Sequence, residues 1–193
     1  MRIDANTPYN DLPLLPPQEE LETKEVLKKV VSAGRALAEL KGLGETIPDQ
    51  NILINSIIMQ EAKASSEIEN IITTNDALYQ AVSSKGEIDP AVKEVLHYRE
   101  ALWTAFNGLK DRRMLTTNLF ISIVQEIKHA EIGIRKTPGT RLQNDVTGET
   151  VYTPPEGEET IRAKLANLEK YIHGEDGIDP LIKAAVIHYQ FEA

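Results

Sequence analysis

Apolar residues recur at helical spacing along most of the chain. Val26, Val30, Val31 and Leu37 fall on one helical face, which is the period of an amphipathic helix. Further patterns of this kind begin near Pro48, Thr74, Asp89, Thr116, Glu158 and Asp179. Helix ends are predicted at Gly42–Gly44, Asn107–Gly108, Gly133 and Gly174. The hydrophobic pattern therefore predicts a mainly α-helical fold.

One segment breaks the helical period altogether. Residues 137–157 read TPGTRLQNDVTGETVYTPPEG, in which two glycines flank a short alternating stretch and Pro154-Pro155 end it. Such punctuation is typical of a β-hairpin with a turn around residues 144–148. The sequence therefore predicts one hairpin, or flap, within residues 138–155. The proline-rich residues 1–17 predict an extended arm.

The stretch EAKASSEIEN, residues 61–70, interrupts an apolar helical run with a small polar patch. Ser65 and Glu69 are four residues apart, which places them on one face if the helix continues. The simplest interpretation is a solvated helix edge that closes at Asn70. The alternative is a functional site, and the pattern alone is too short to decide between them.

Composition narrows the classes of function. The chain has no cysteine, which excludes disulfides and thiolate metal sites, and its four histidines show no metal-ligand spacing. A net charge of −9 disfavours a nucleic-acid partner. The basic residues Arg135, Lys136 and Arg141 form either a solvated loop or a site for a phosphate or an acidic partner. Without a signal peptide or an apolar run of membrane length, we expect a cytoplasmic protein with no membrane partner.

Several short motifs together resemble one known family. In chain order they are LPLLPP, SSEIEN, TPG, TGE, YTPPEG and IHYQFEA. Their combination resembles the Fic-domain proteins of the Fic/Doc superfamily, in the branch with an N-terminal inhibitory helix, over about Leu12 to Ala193. The resemblance implies an all-α, or mainly α, Fic-type helical bundle with one β-hairpin flap. It also implies an N-terminal region with the inhibitory helix over residues 1–85 and the first part of the Fic core over residues 86–193.

The family signature H-x-F-x-x-G-N-G-R-x-x-R does not occur in these residues. The resemblance places it directly after the FEA of residues 191–193, so we expect the catalytic loop beyond Ala193 and no catalytic residue within the segment. The last helical pattern reaches Ala193 without a stop signal, so the helix either frays at a true C-terminus or continues beyond Ala193. The second alternative agrees with this expectation.

The implied activity is that of an autoinhibited protein adenylyltransferase, which transfers AMP from ATP, with Mg²⁺, to a Ser, Thr or Tyr hydroxyl of a target protein. Glu69 matches the inhibitory glutamate that pairs with the last arginine of the signature, and Ser65 and Asn70 accompany it. Ser66 and Glu69 match positions close to the nucleotide. No residue of the segment is expected to bind a metal.

The resemblance assigns the flap to target docking. Its residues are Glu149, Thr150, Val151, Tyr152 and Thr153. An edge strand offers free N–H and C=O groups with which an extended target segment can pair. The target can be another protein or the chain itself, and a homodimer is left open.

Two other functions stay open at this point. One is a non-catalytic helical interaction or regulatory module. The other is a Fic relative that transfers or removes a different phosphate-containing group. The residues of the signature would distinguish them from an adenylyltransferase.

Overall fold

A computed structural model describes residues 4–83, 88–112 and 114–193 of the chain. Its elements in chain order are α1 (Lys24–Gly44), α2 (Gln50–Ile68), α3 (Asn75–Ser83), α4 (Pro90–Arg112), α5 (Thr117–Lys128), β1 (Leu142–Gln143), β2 (Thr150–Tyr152), α6 (Glu158–His173) and α7 (Pro180–Glu192). Within these residues the only sheet is the antiparallel pair β1–β2. The prediction of a mainly helical fold with one β-hairpin inside residues 138–155 is therefore confirmed.

The predicted helix starts follow from side-chain caps. Asp49, Asp89 and Asp179 each accept a bond from the backbone N–H two residues later, at 3.0, 2.9 and 2.9 Å. Thr74 and Thr116 cap α3 and α5 by accepting from the N–H three residues later. These oxygens satisfy N–H groups that have no partner within a helix, so short polar residues mark the starts in the sequence.

Two predicted helix ends are wrong. Helix α4 continues through Asn107-Gly108 to Arg112, and a Cβ at Gly108 would lie 3.9 Å from Leu119 Cδ1 of α5. Gly108 is thus a packing residue between α4 and α5 rather than a stop. Helix α5 ends at Lys128, before Gly133, because His129 adopts a left-handed conformation with φ 45°.

The chain forms two compact units. The terminal unit comprises Met1–Ala36 and Ile134–Ala193, and the central unit comprises Leu37–Gly133. The functional division predicted between residues 85 and 86 stays a prediction.

The core of the central unit lies where α2, α3 and α4 meet. Its buried members are Met59, Ala62, Leu78, Val92 and Val95. Met59 and Ala62 are three residues apart, so they share one face of α2, and this face fixes the orientation of the polar stretch that follows.

The core of the terminal unit lies between α6, α7 and the N-terminal arm. Leu12, Leu168, Tyr171 and Ile182 are its buried apolar residues. The predicted arm, residues 1–17, has no helix or strand over residues 4–17, and its residues 1–3 lie outside the described part of the chain. In the described part of the chain, each helix is too short or too polar to cross a bilayer.

Candidate functional site

The stretch SSEIEN forms the C-terminal end of α2. The helix ends at Ile68, one residue before Glu69, and Asn70 adopts a left-handed conformation with φ 62°. The Ile71 N–H donates to the Ser66 carbonyl at 2.9 Å, and the Asn70 N–H donates to the Glu67 carbonyl at 3.1 Å. This pair of bonds is the Schellman motif, which satisfies the last carbonyls of a helix. The helix therefore closes at Asn70, as the simplest interpretation of the sequence expects, and it does not continue beyond Glu69.

Ser66 occupies a core position in the last turn of α2. It follows Met59 and Ala62 at helical spacing, and it is 3% exposed. Ile71, the residue after the left-handed turn, packs against the same core cluster. The stop motif therefore returns the chain to the core, and Ser66 is the small residue that fits beneath it.

The two flanks of this buried face carry polar and charged pairs. Ser65 Oγ donates to Glu61 Oε1 at 3.1 Å, and Lys63 pairs with Glu67. Both are i, i+4 contacts at the surface, where each pair contributes about 0.2–0.5 kcal/mol. The hydroxyl of Ser65 is thus held by its own helix, and Glu67 has a cation of its own.

Glu69 differs from these neighbours, because no described residue pairs with its carboxylate. Its side chain is exposed at the end of α2, where the helix macrodipole is negative and the last turn has no basic residue. A carboxylate at this end costs about 0.3–1 kcal/mol. A cation that reached Glu69 would offset this cost. The flanking Ile68 and Ile72 are 84% and 72% exposed.

The hairpin has an irregular register. Leu142 pairs with Tyr152 and Gln143 pairs with Thr150, so Val151 is an extra residue on β2. This is the arrangement of a β-bulge, which increases the local twist of a strand. Val151 is 56% exposed.

The turn of the hairpin is organised by one asparagine. Asn144 Oδ1 accepts from the N–H groups of Val146 and Thr147 at 2.9 and 3.0 Å, and Gly148 has φ 70°. The predicted turn around residues 144–148 is therefore confirmed. Glu149 is the first predicted docking residue, and its backbone carbonyl closes the turn by accepting from the Asn144 N–H at 2.9 Å.

The five predicted docking residues differ in accessibility. Glu149 and Val151 are exposed, Thr150 and Tyr152 are half-buried, and Thr153 is buried. Among the described residues, no backbone group outside the hairpin bonds to the backbone of residues 150–152, while the Tyr152 hydroxyl donates to the Ala193 carbonyl at 2.6 Å. Burial raises the pKa of Tyr152, with smaller contributions from Tyr189 and Tyr9.

The basic residues beside the flap are mostly engaged within the fold. Arg135 donates to the Pro155 carbonyl at 2.7 Å, and Lys136 lies 3.2 Å from Glu158. Glu158 also pairs with Arg162, and the hydrogen bonds from Arg162 and Lys136 lower the pKa of the Glu158 carboxyl. These contacts favour a structural role at the base of the hairpin over an anion site.

The structure brings Ser65, Ser66, Glu69 and Asn70 together at one helix end in the central unit, while the flap belongs to the terminal unit. The helix end at Asn70 could be predicted from the sequence, because Asn after a helix is a known stop signal. The partners of the arm had no such signal, since they are distant in sequence. The described residues contain no cluster of three or more His, Asp or Glu that could hold a metal ion.

A comparison with protein families finds a match over part of the chain. Residues 27–107 match the sequence model described as Fic/DOC family N-terminal. The matched segment contains the helix end formed by Ser65, Ser66, Glu69 and Asn70. The match supports the Fic/DOC superfamily for this chain.

Proposed function

We propose that this chain is the regulatory and target-docking part of an autoinhibited protein adenylyltransferase of the Fic type. In this proposal Glu69 restrains an arginine of the catalytic signature, and the flap receives the target. The proposal requires the signature residues, which are not among residues 1–193. It places the reaction in the cytoplasm, with ATP and Mg²⁺ as the reactants that the chain regulates.

The exposed Glu69 carboxylate at the end of α2 is the observation that carries the proposal. Three neighbouring polar groups, Ser65, Glu61 and Glu67, have partners on their own helix, whereas Glu69 has none in the described chain. An arginine would pair with it bidentately and would also relieve the unfavourable interaction with the helix dipole. A guanidinium held in this way is not available to a phosphate.

The Schellman motif gives Glu69 a fixed location. The backbone bonds to the Ser66 and Glu67 carbonyls, together with the packing of the partly buried Ile71 on the core, fix the backbone on both sides of Glu69. A carboxylate on a rigid helix end can select one arginine geometry, which a carboxylate on a mobile loop would not. The exposed Ile68 and Ile72 add apolar surface for a contact with another part of the protein.

The proposed reaction joins a target hydroxyl to the α-phosphorus of ATP. The hydroxyl oxygen forms the new P–O bond, the bond to pyrophosphate breaks, and the hydroxyl proton passes to a base of the signature. ATP supplies the activated phosphoryl group, and Mg²⁺ offsets the charge of the leaving pyrophosphate. The residues of this chain would act by positioning: the edge of β2 would align an extended target segment. In the inhibited state Glu69 would withhold the arginine.

The test is AMP transfer by the intact protein with labelled ATP and Mg²⁺. We expect Glu69→Ala to raise incorporation of label into the protein itself or into a target, mainly through turnover. Glu67→Ala is the matched control, because it removes a neighbouring exposed glutamate whose partner is Lys63. Incorporation by Glu69→Ala that does not exceed that of the wild type, with both proteins folded, would refute the regulatory role.

The exposed isoleucines also support a non-catalytic interaction module as a second candidate. This candidate predicts binding of a protein partner without incorporation of label, and it predicts that Ile68→Ala weakens binding. A third candidate is a Fic relative that uses another donor or catalyses the reverse reaction. It would transfer a different labelled group, or it would release AMP from a modified protein.

A further inference from the structure

The N-terminal arm contacts the hairpin where β2 ends. The Tyr9 N–H donates to the Thr153 carbonyl at 3.0 Å, and Thr153 Oγ1 donates to the Ala5 carbonyl at 2.6 Å. The Glu156 N–H donates to Asn10 Oδ1 at 2.8 Å. Thr153 is 3% exposed, so its own two bonds are shielded from solvent, whereas the bond between Glu156 and Asn10 is exposed. The arm therefore covers the backbone that leaves the flap strand.

The same arm is anchored on α6 a few residues later. Asn167 uses both atoms of its carboxamide on Leu15, with Oδ1 accepting from the Leu15 N–H at 2.7 Å and Nδ2 donating to the Leu15 carbonyl at 2.9 Å. Lys164 Nζ donates to the Leu12 carbonyl at 2.8 Å. Leu12 is 6% exposed, which adds apolar burial to these polar contacts.

These contacts connect a rigid element to a weak one. A hairpin with strands of two and three residues is marginally stable without support. Helix α6 has 16 residues and contributes Leu168 and Tyr171 to the core, so it is the firmer element. An arm without its own ladder of hydrogen bonds takes its position from its partners. Its fixed end on α6 thus holds its other end against the flap.

We infer that the arm is a clamp that positions the flap, and that Asn167 is the positioning residue that anchors the clamp. The consequence for a target rests on the proposed function. The Tyr9 N–H already donates to the Thr153 carbonyl. A target segment therefore pairs with residues 150–152, and its pairing stops before Thr153. The Tyr9 ring, whose edge lies against Tyr152 with centroids 6.5 Å apart, forms the end wall of that docking surface.

Hydrogen exchange of the 193-residue chain tests the clamp directly. Asn167→Ala removes both bonds to Leu15, and Lys170→Ala changes an exposed residue of the same helix as the control. We expect amides in residues 149–157 to exchange at least about fivefold faster in Asn167→Ala. The loss of one hydrogen bond raises the equilibrium constant for local opening by about that factor. Residues 159–173 should keep their protection, and Lys170→Ala should match the wild type.

This readout separates positioning from a purely structural role of Asn167. A structural role would alter α6 itself or the whole unit, so equal acceleration in residues 149–157 and 159–173 would overturn the inference. Unchanged exchange in residues 149–157 would overturn it as well. If Asn167→Ala does not fold, Lys164→Met tests the same anchor, with Lys170→Met as its control and the same criteria.

A second variant tests the clamp from the flap side. Thr153→Val removes the donor to the Ala5 carbonyl and keeps a β-branched side chain of similar shape. We expect faster exchange in residues 5–12, with α6 unchanged. Exchange of residues 5–12 at the wild-type rate would mean that the flap does not hold the arm.

The intact protein then tests the consequence for a target. Asn167→Ala should raise KM for a protein target severalfold and leave KM for ATP unchanged. An equal rise in both would contradict a role in target positioning. If the wild-type protein transfers no AMP, the proposed function fails, while the exchange result still decides whether the clamp exists.

Discussion

Asn70 gives the most discriminating test of the helix end that holds Glu69. Its backbone has φ 62°, a conformation that costs most L-residues about 1–2 kcal/mol and that Gly adopts without penalty. Asn tolerates this region better than Ala does. We therefore expect Asn70→Ala to destabilise the central unit by about 1 kcal/mol, and Asn70→Gly to change its stability little.

The magnitude follows from what Asn70→Ala does to the motif. Either the Ala residue keeps the left-handed conformation at that cost, or the chain relaxes and loses the bond from Ile71 to Ser66 and the packing of Ile71 on the core. For a unit of this size, about 1 kcal/mol lowers the Tm by about 4–8 °C.

Fluorescence of Trp103 provides the assay. It is the single tryptophan of the chain and belongs to the central unit, so thermal or urea unfolding followed at Trp103 reports that unit. Asn51→Ala is the matched control, because Asn51 is exposed in the first turn of α2 in an ordinary helical conformation. It should be neutral or slightly stabilising.

Two results would contradict this role of Asn70. One is a Tm or urea midpoint of Asn70→Ala equal to that of the wild type. The other is a loss of stability in Asn70→Gly as large as that in Asn70→Ala. The same variants also separate the two roles of the residue in the intact protein. Asn70→Gly should preserve repression of AMP transfer, because it preserves the stop. Repression lost to the extent seen in Glu69→Ala would mean that the Asn70 side chain itself takes part in inhibition.

Two further predictions concern pH and the flap. Burial, and next the adjacent His129 whose ring centroid is 3.7 Å away, lower the pKa of His97, while Glu100 and Glu126 oppose and Lys93 adds to this effect. The unfolded chain then binds more protons than the folded one, so the stability of the central unit should fall as the pH drops below about 6.5. His97→Gln should flatten that dependence in a urea titration at several pH values, and an equal slope in both proteins would contradict it. In the flap, Val151→Pro removes an N–H at the bulge and should abolish modification of protein targets while ATP binding is less affected. Val146→Ala at the turn is its control, and equal loss of target modification and ATP binding in Val151→Pro would show that the flap serves only the nucleotide.

The helical class, the hairpin and most helix starts could be predicted from the amino-acid sequence. These features depend on interactions between residues that are close in the chain. They are the spacing of apolar residues, and side-chain oxygens that cap a backbone N–H two or three residues later. Asp49, Asp89 and Asp179 could be identified as caps because a cap and its partner are neighbours in the chain. The turn at Asn144–Gly148 follows the same rule.

Tertiary structure decided the features that depend on distant partners. Gly108 looks like a stop in the sequence but is a packing residue, because Leu119 of α5 approaches it. Ser66 looks solvated, yet the core closes over it. The clamp from Ala5 to Leu15 joins residues about 150 positions apart in the chain, such as Leu15 and Asn167. Local propensity carries no information about such pairs, because their bonds exist only once α6 and the arm have packed together.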